Sequence, residues 1–435
     1  MKKLVSLLLA LLLVLGLMPA VLAQDVIELD MYFPVAVGGG PDALINTLCE
    51  EFHAEYPTIK INPVYAGSYA DTRTKVIAAI QANNTPAIAL MFSIDLYQLF
   101  SMGVLYDYNS FCTTDVDKAW LEGFYPGFME NSRLPQADGS YLTYGIPWQR
   151  STIIMYYNKD AFKEAGLDPE APPTTWAELA EYGKKLVKQE NGTTSRYGIQ
   201  IPSDKAGYAY WMLQTFTLTQ GGQNLMSADG SEVFFNHPKT IKGLEFWKKL
   251  SDDGIQAPGV TKWSTTVSDF LEQRAAIIYH TTGNLTNVKK NATFEFGTSR
   301  LAAEDSYGSP TGGGNFYLFK GVPEEQTQAA FTFIKWMTSN PERVAQWSID
   351  TGYVATRPEA YETQLMKDYT ASFPSALTAR DQLEYAYAEF SVYDQGAVQD
   401  ILDTAIEEVM TGVKDAPAAL AEAQDKADAI LADYR

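Results

Sequence analysis

Six aromatic residues fall in loops instead of on apolar faces: Tyr69 behind Gly67 and Ser68, Trp148, Tyr208, Tyr210, Trp211 and Tyr353. A flat ring with a polar tip stacks on the apolar face of a sugar or polyol, while side-chain hydrogen bonds read the hydroxyls. Taken singly, each ring suits a core; together, in loops at strand ends, they predict a ligand cleft. Chemistry on the ligand is not predicted. The three histidines, His53, His237 and His280, are far apart, and the chain has no H-E-x-x-H, C-x-x-C, G-x-S-x-G or Walker loop. Paired carboxylates for glycoside hydrolysis remain open among 53 acidic residues, but no spacing singles out a pair. No catalytic residue, metal or cofactor is expected.

The elements that must position these rings alternate. Ile27, Leu29, Met31 and Phe33 have strand period, and a helix carrying Leu44, Ile45, Leu48 and Phe52 on one face follows. A strand over 58–64, a helix over 69–82 and a strand over 87–92 complete a βαβαβ start with parallel strands. Residues 145–162 then hold an irregular polar stretch, Trp148 to Ser151, and an apolar strand from Thr152 to Tyr157. Thr175 and Glu178 open a helix as a capping pair. This run reads as a hinge entering a new lobe. Further on come a strand over 197–201, helices over 211–218 and 240–251, and a helix turning into a strand over 270–283. Helices from 323 to 347, a loop over 351–358 and two amphipathic helices from 396 to 434 complete the chain. Gly38–Gly40 end a strand, where a turn or a ligand explains them; Gly312–Gly314 precede one, where close packing at the cleft is expected.

Composition narrows the class. Met1–Ala23 carries two lysines, an apolar run and small residues at its end, and reads as a cleaved secretory signal; with Gln24 next, no lipid anchor is expected. Losing Lys2 and Lys3 takes the net charge from −20 to −22, which disfavours nucleic acid and anionic membrane as partners. The 412 residues left of 435 exceed what one core organises, so two lobes are expected. Cys49 and Cys112 read as buried free thiols, with one disulfide as the alternative.

The hinge run, with Asn158-Lys-Asp-Ala-Phe162, Gly166-Leu-Asp-Pro169 and Pro173-Thr-Thr-Trp176, resembles the extracellular solute-binding proteins, family 1, of bacterial ABC importers, within them the glycerol-3-phosphate-binding branch. Tyr65 to Asp71, Asn84 to Ile88, Gly313-Gly314 and Thr351-Gly-Tyr353 fall in family order. The resemblance implies an α/β, two-lobe periplasmic-binding-protein fold of type II. Each lobe would have a mainly parallel sheet flanked by helices, with one ligand held at the hinge. Lobe boundaries are set at 24–150 plus 281–362 and 151–280 plus 363–435. Carried over by position, ligand contacts fall on Tyr69, Ser93, Ser151, the aromatics Tyr208 to Trp211, Thr282 or Asn284, Gly313 or Gly314, and Tyr353.

Two positions depart from that branch. Ser93 stands where a glutamate grips hydroxyls, with Asp95 as a substitute, and Gln399 stands where an arginine clamps phosphate. A phosphate without its guanidinium loses a contact of about 1.5 to 3 kcal/mol. Arg150 either supplies that cation from the hinge or braces it. The expected protein is a periplasmic, monomeric receptor for a sugar, polyol or short oligosaccharide that delivers it to ABC permease subunits. A glycerol-3-phosphate or glycerophosphodiester ligand is the alternative, and a secreted carbohydrate-active enzyme the rival class.

Overall fold

The computed structural model describes residues 26–34, 41–136, 138–205 and 208–435. Met1–Ala23, expected from sequence to be a signal, and the glycines Gly38–Gly40 lie outside the described residues. The chain opens with β1 (Ile27–Phe33), α1 (Pro41–Glu55), β2 (Ile59–Tyr65), α2 (Tyr69–Gln81) and β3 (Ile88–Phe92). β1 pairs parallel with both β2 and β3, giving the expected βαβαβ start. A capping box starts α2: Ser68 Oγ accepts from the Asp71 amide at 3.1 Å, and Asp71 accepts from the Ser68 amide at 2.9 Å. Tyr69 is thereby held at the first helical position.

After the hairpin of β4 (Arg133–Pro135) and β5 (Tyr141–Thr143) comes β6, Gly145–Asn158, buried along its whole length. The stretch from Trp148 to Ser151, read from sequence as irregular, is instead part of this strand. Its polar side chains mask the period, and the order comes from a distant partner. Residues 145–152 pair antiparallel with β11 (Ser309–Leu318), and Ile153–Tyr157 pair antiparallel with β9 (Ala275–Thr281). β6 therefore changes neighbours at Thr152. Its second half has the β-branched and aromatic residues that suit a doubly covered strand.

The sheet runs β2-β1-β3-β11-β6-β9-β8-β7, where β7 is Lys188–Glu190 and β8 is Thr193–Gln200; β10 (Phe296–Ser299) pairs with β6, and β12 (Ala386–Tyr387) with β11. Parallel pairs hold the first strands, β8–β9 and the short β11–β12 contact, whereas β11 runs antiparallel to β3 and β6, and β6 antiparallel to β9 and β10. Gly312, Gly313 and Gly314 lie inside β11, not ahead of it, with a register shift at Gly314/Asn315.

Two large apolar cores flank the crossing. One draws on residues between 29 and 148 and between 316 and 366. The other draws on residues between 153 and 302 and between 390 and 431, joined by Tyr69, Phe92 and Ile94. The second core includes α3 (Ala209–Leu218), buried on all sides, and most inward positions of α5 (Gln395–Met410); α4 (Trp263–Leu271) leads into β9. Cys49 and Cys112 are both buried and free. No helix among the described residues is long and apolar enough to cross a membrane.

Candidate ligand-binding site

A cavity opens where β3, β6, β9 and β11 converge. Tyr69, Phe92, Ser151, Tyr208, Trp211, Trp263, Thr281, Gly313 and Tyr353 line it. Six of the nine are aromatic, and among the described residues none on the wall is Lys, Arg or His.

The backbone presents each ring. Tyr208 caps α3 with φ 62°, a left-handed conformation that costs a tyrosine strain. Its ring meets Phe92 at 5.6 Å and Trp263 at 5.2 Å, edge to face. Tyr69 stacks on Phe92 at 4.5 Å and donates its hydroxyl to Gln149 Oε1 at 3.1 Å. Trp211 donates Nε1–H to the Thr311 carbonyl at 2.8 Å, and its ring fills the space a side chain at Gly312 would need. Gly352, at φ 85°, ends the preceding helix and turns Tyr353 inward.

The space open to the centre of a water molecule is only about 30 Å³, room for a few waters and not for a sugar ring. A sugar enters only if the walls part. Hydrogen bonds tie the segment after β3 to distant parts of the chain: Tyr97 Oη donates to the Ala228 carbonyl at 2.8 Å, and Ser391 Oγ donates to the Ile94 carbonyl at 2.8 Å.

Of the residues singled out from sequence, Tyr69, Ser151, Tyr208, Trp211, Gly313 and Tyr353 come together on this wall. Others do not. Trp148 is 1% exposed and packs against Trp347 at 5.0 Å and Phe316 at 6.0 Å in the first core. Strand alternation sends it to the opposite side from its neighbour Gln149. Trp148→Phe should therefore cost about 1 to 2 kcal/mol of stability, seen as a lower urea midpoint, and leave ligand affinity unchanged.

Arg150 is fully buried and turns away from the cavity, donating to Asn315 Oδ1 and Thr311 Oγ1, each at 3.1 Å. Thr282 and Asn284 belong to the short 3-10 turn that Thr281 caps and do not line the cavity: Thr282 Oγ1 accepts from the Thr152 amide at 3.3 Å, and Asn284 Nδ2 meets His280 Nδ1 at 2.8 Å. Gly314 sits under the Tyr69 ring, so close that a Cβ would lie 3.0 Å from Tyr69 Oη. Gln399, on α5, donates to Asp403 at 3.2 Å. Ser93 and Asp95 are buried just beyond Phe92, and Asp95 pairs with Arg73 at 3.2 Å.

Phe92, Trp263 and Thr281 line the cavity without having been singled out. Phe92 ends an apolar strand and Trp263 starts a helix, so both carry the signature of core. Loop aromatics following a strand, weighed together with the strand's last residue, were the usable signal.

Burial sets the charge state around this wall. It pushes the carboxyls of Glu389 and Asp403 each up to about 8 and that of Asp95 up to about 6. Raised values mean the folded state prefers the protonated form, so the stability these groups contribute is full below about pH 4 and is lost as pH rises toward about pH 8. His280, tilted against the Trp263 ring at 3.9 Å, has the opposite sign: burial lowers it to about 3. Its contribution is full above about pH 6.5 and is lost on acidification. The melting temperature should fall between about pH 6 and pH 8, and the fall should shrink in Asp403→Asn, which keeps the acceptor for the Tyr210 amide.

An α/β protein with an aromatic cavity where one strand crosses between two cores is a receptor fold that closes on a small solute. Residues 47–374 match the family of bacterial extracellular solute-binding proteins, and the chain belongs to it. Among its relatives is the sn-glycerol-3-phosphate-binding periplasmic protein UgpB of Salmonella typhimurium, 27% identical over 416 residues that cover 89% of each chain. Two solved structures share the fold, a two-lobed periplasmic-binding-protein fold of type II. UgpB from Mycobacterium tuberculosis, in complex with glycerophosphocholine, superposes with a TM-score of 0.79 at 23% identity, covering 93% of this chain and 98% of the other. The cyclic alpha-maltosyl-1,6-maltose binding protein from Arthrobacter globiformis gives 0.78 at 23%, covering 94% and 100%.

Proposed function

We propose that this protein is the substrate-binding component of an ABC importer and captures a neutral, hydroxylated solute such as a sugar, polyol or short oligosaccharide. The observation that carries the ligand class is the cavity wall itself: six rings and small hydroxyls, with Arg150 turned into the strand pair behind it. Stacking rings bind the apolar face of a carbohydrate, while an anion gains most from a paired cation. The lobes are taken as 24–150 plus 281–362 and 151–280 plus 363–435, hinged on β6. Secretion through a cleaved Met1–Ala23 leader places a monomer in the periplasm, where it docks on permease transmembrane subunits. It performs no chemistry on its ligand.

The curated relatives named for sn-glycerol 3-phosphate support a second reading, a glycerol-phosphate compound as ligand. A thermal-shift screen separates the two, because a ligand at a hundredfold over its Kd stabilises by about 2.7 kcal/mol. Maltose or ribitol should raise the melting temperature more than glycerol 3-phosphate or glycerophosphocholine does. The reverse order would replace the neutral ligand with the phosphorylated one, and steady product formation from a bound sugar would end the receptor reading.

A further inference from the structure

Beside the aromatic cavity, several buried polar atoms are left without a hydrogen-bond partner, among them Asp95 Oδ2, Gln149 Nε2, Arg150 Nε, His280 Nε2 and the neighbouring pair Ser93 Oγ and Glu389 Oε2. Ser93, Gln149 and Glu389 are fully buried and Asp95 is 1% exposed. Buried polar groups are almost always paired, so several unpaired ones together mark a surface that something else completes.

Each is tied to the cavity wall. Ser93 follows Phe92, and Gln149 accepts the Tyr69 hydroxyl with its other amide atom. Glu389 accepts the Tyr210 hydroxyl on Oε1 at 2.8 Å, beside Trp211. The charges of Glu389, Arg73 and Asp95 all reach the Tyr208 hydroxyl. Arg150 makes no hydrogen bond to the free Glu389 oxygen: its two terminal nitrogens donate to Asn315 and Thr311, and its Nε is likewise without a partner. Glu389 is in turn locked in place through its backbone: its amide donates to Asn131 Oδ1 at 2.7 Å, and its carbonyl accepts from Asn131 Nδ2 at 2.9 Å. A side chain so anchored, with one oxygen unused, is preorganised for a ligand.

We propose that Glu389, with Ser93, forms a second compartment of the cleft behind Tyr69 and Tyr208 and is the specificity-determining grip on the ligand's hydroxyls. The set suits adjacent hydroxyls: the protonated Glu389 carboxyl and the serine hydroxyl each donate and accept, and Gln149 Nε2 donates. The rings then select the sugar or polyol face, and the compartment selects the hydroxyl pattern. This inference rests on the receptor reading above and deepens it.

The test is calorimetric titration of the native protein, Glu389→Gln and Ser93→Ala with maltose, ribitol and glycerol 3-phosphate, with a melting curve of each unliganded protein. The probe that the native protein binds should bind each variant about tenfold to a hundredfold more weakly, while the unliganded melting temperatures stay within a few degrees. Binding by both variants within about twofold of native would overturn the grip and leave the receptor reading intact. Should Glu389→Gln fail to fold, Ser93→Ala, which removes one hydroxyl, decides alone. A native protein that responds to none of the three probes defeats the receptor reading, and the grip with it.

Discussion

Arg150→Ala should lower the stability of this protein by about 2 to 5 kcal/mol, because it leaves two buried acceptors without a donor at about 1 to 3 kcal/mol each. Arg150 is fully buried, holds Asn315 and Thr311 at 3.1 Å each, and lies 5.2 Å over the Phe128 ring. Burial lowers it to about 10, against the opposing pull of Glu389, so it stays charged at neutral pH. Its removal strands the Asn315 and Thr311 oxygens. Thr311 also accepts the Trp211 indole, so the loss is transmitted to the cavity wall. Urea unfolding of the unliganded protein should show a lower midpoint with an unchanged slope. Affinity for glycerol 3-phosphate should suffer no more than affinity for ribitol or maltose. Native stability with a selective loss of glycerol 3-phosphate would instead make Arg150 the phosphate clamp.

Gly313→Ala should cost more than about 4 kcal/mol, a size reached only through a specific structural conflict. Gly313 has φ 92°, and a Cβ there would lie 1.8 Å from the Gln149 carbonyl oxygen, which belongs to the backbone and cannot rotate aside. Relief requires β11 to leave β6, the pairing on which both cores meet. Gly103→Ala isolates the backbone term, since Gly103 also has positive φ, 71°, but nothing lies within 4 Å of its Cβ position. That control should lose only about 1 kcal/mol. Similar urea midpoints for the two variants would show that the close approach of β11 and β6 is relieved without cost.

Much of the fold was legible because its signals are local. The alternation of β1, α1, β2, α2 and β3 follows from apolar period, and the capping pairs Ser68/Asp71 and Thr175/Glu178 start helices within a few residues of themselves. The rings at Tyr208 and Tyr353 stood out because aromatic residues in loops have no local apolar face to join, whereas Tyr69 and Trp211, also read as loop residues, lie in the first turns of α2 and α3. The β6 strand was only half legible: Thr152 to Tyr157 carry strand residues, while Trp148 to Ser151 become strand by pairing with residues 311–315, far away in the chain.

The sequence by itself determined the class: an alternating α/β chain too long for one core, with family motifs in order and a set of rings suited to a hydroxylated ligand. Only the tertiary structure decided which side each hinge residue faces. Of four consecutive residues, Trp148 enters a core, Gln149 holds Tyr69, Arg150 braces β11 and Ser151 reaches the cavity. The physical reason is register. Strand alternation is visible locally, but which face is core and which is cleft depends on partners that the chain supplies more than a hundred residues later. Glu389 shows the same limit more sharply. One acid among 53 has no distinguishing neighbours in sequence, and its importance comes entirely from being buried beside Tyr210, Ser93 and Asn131.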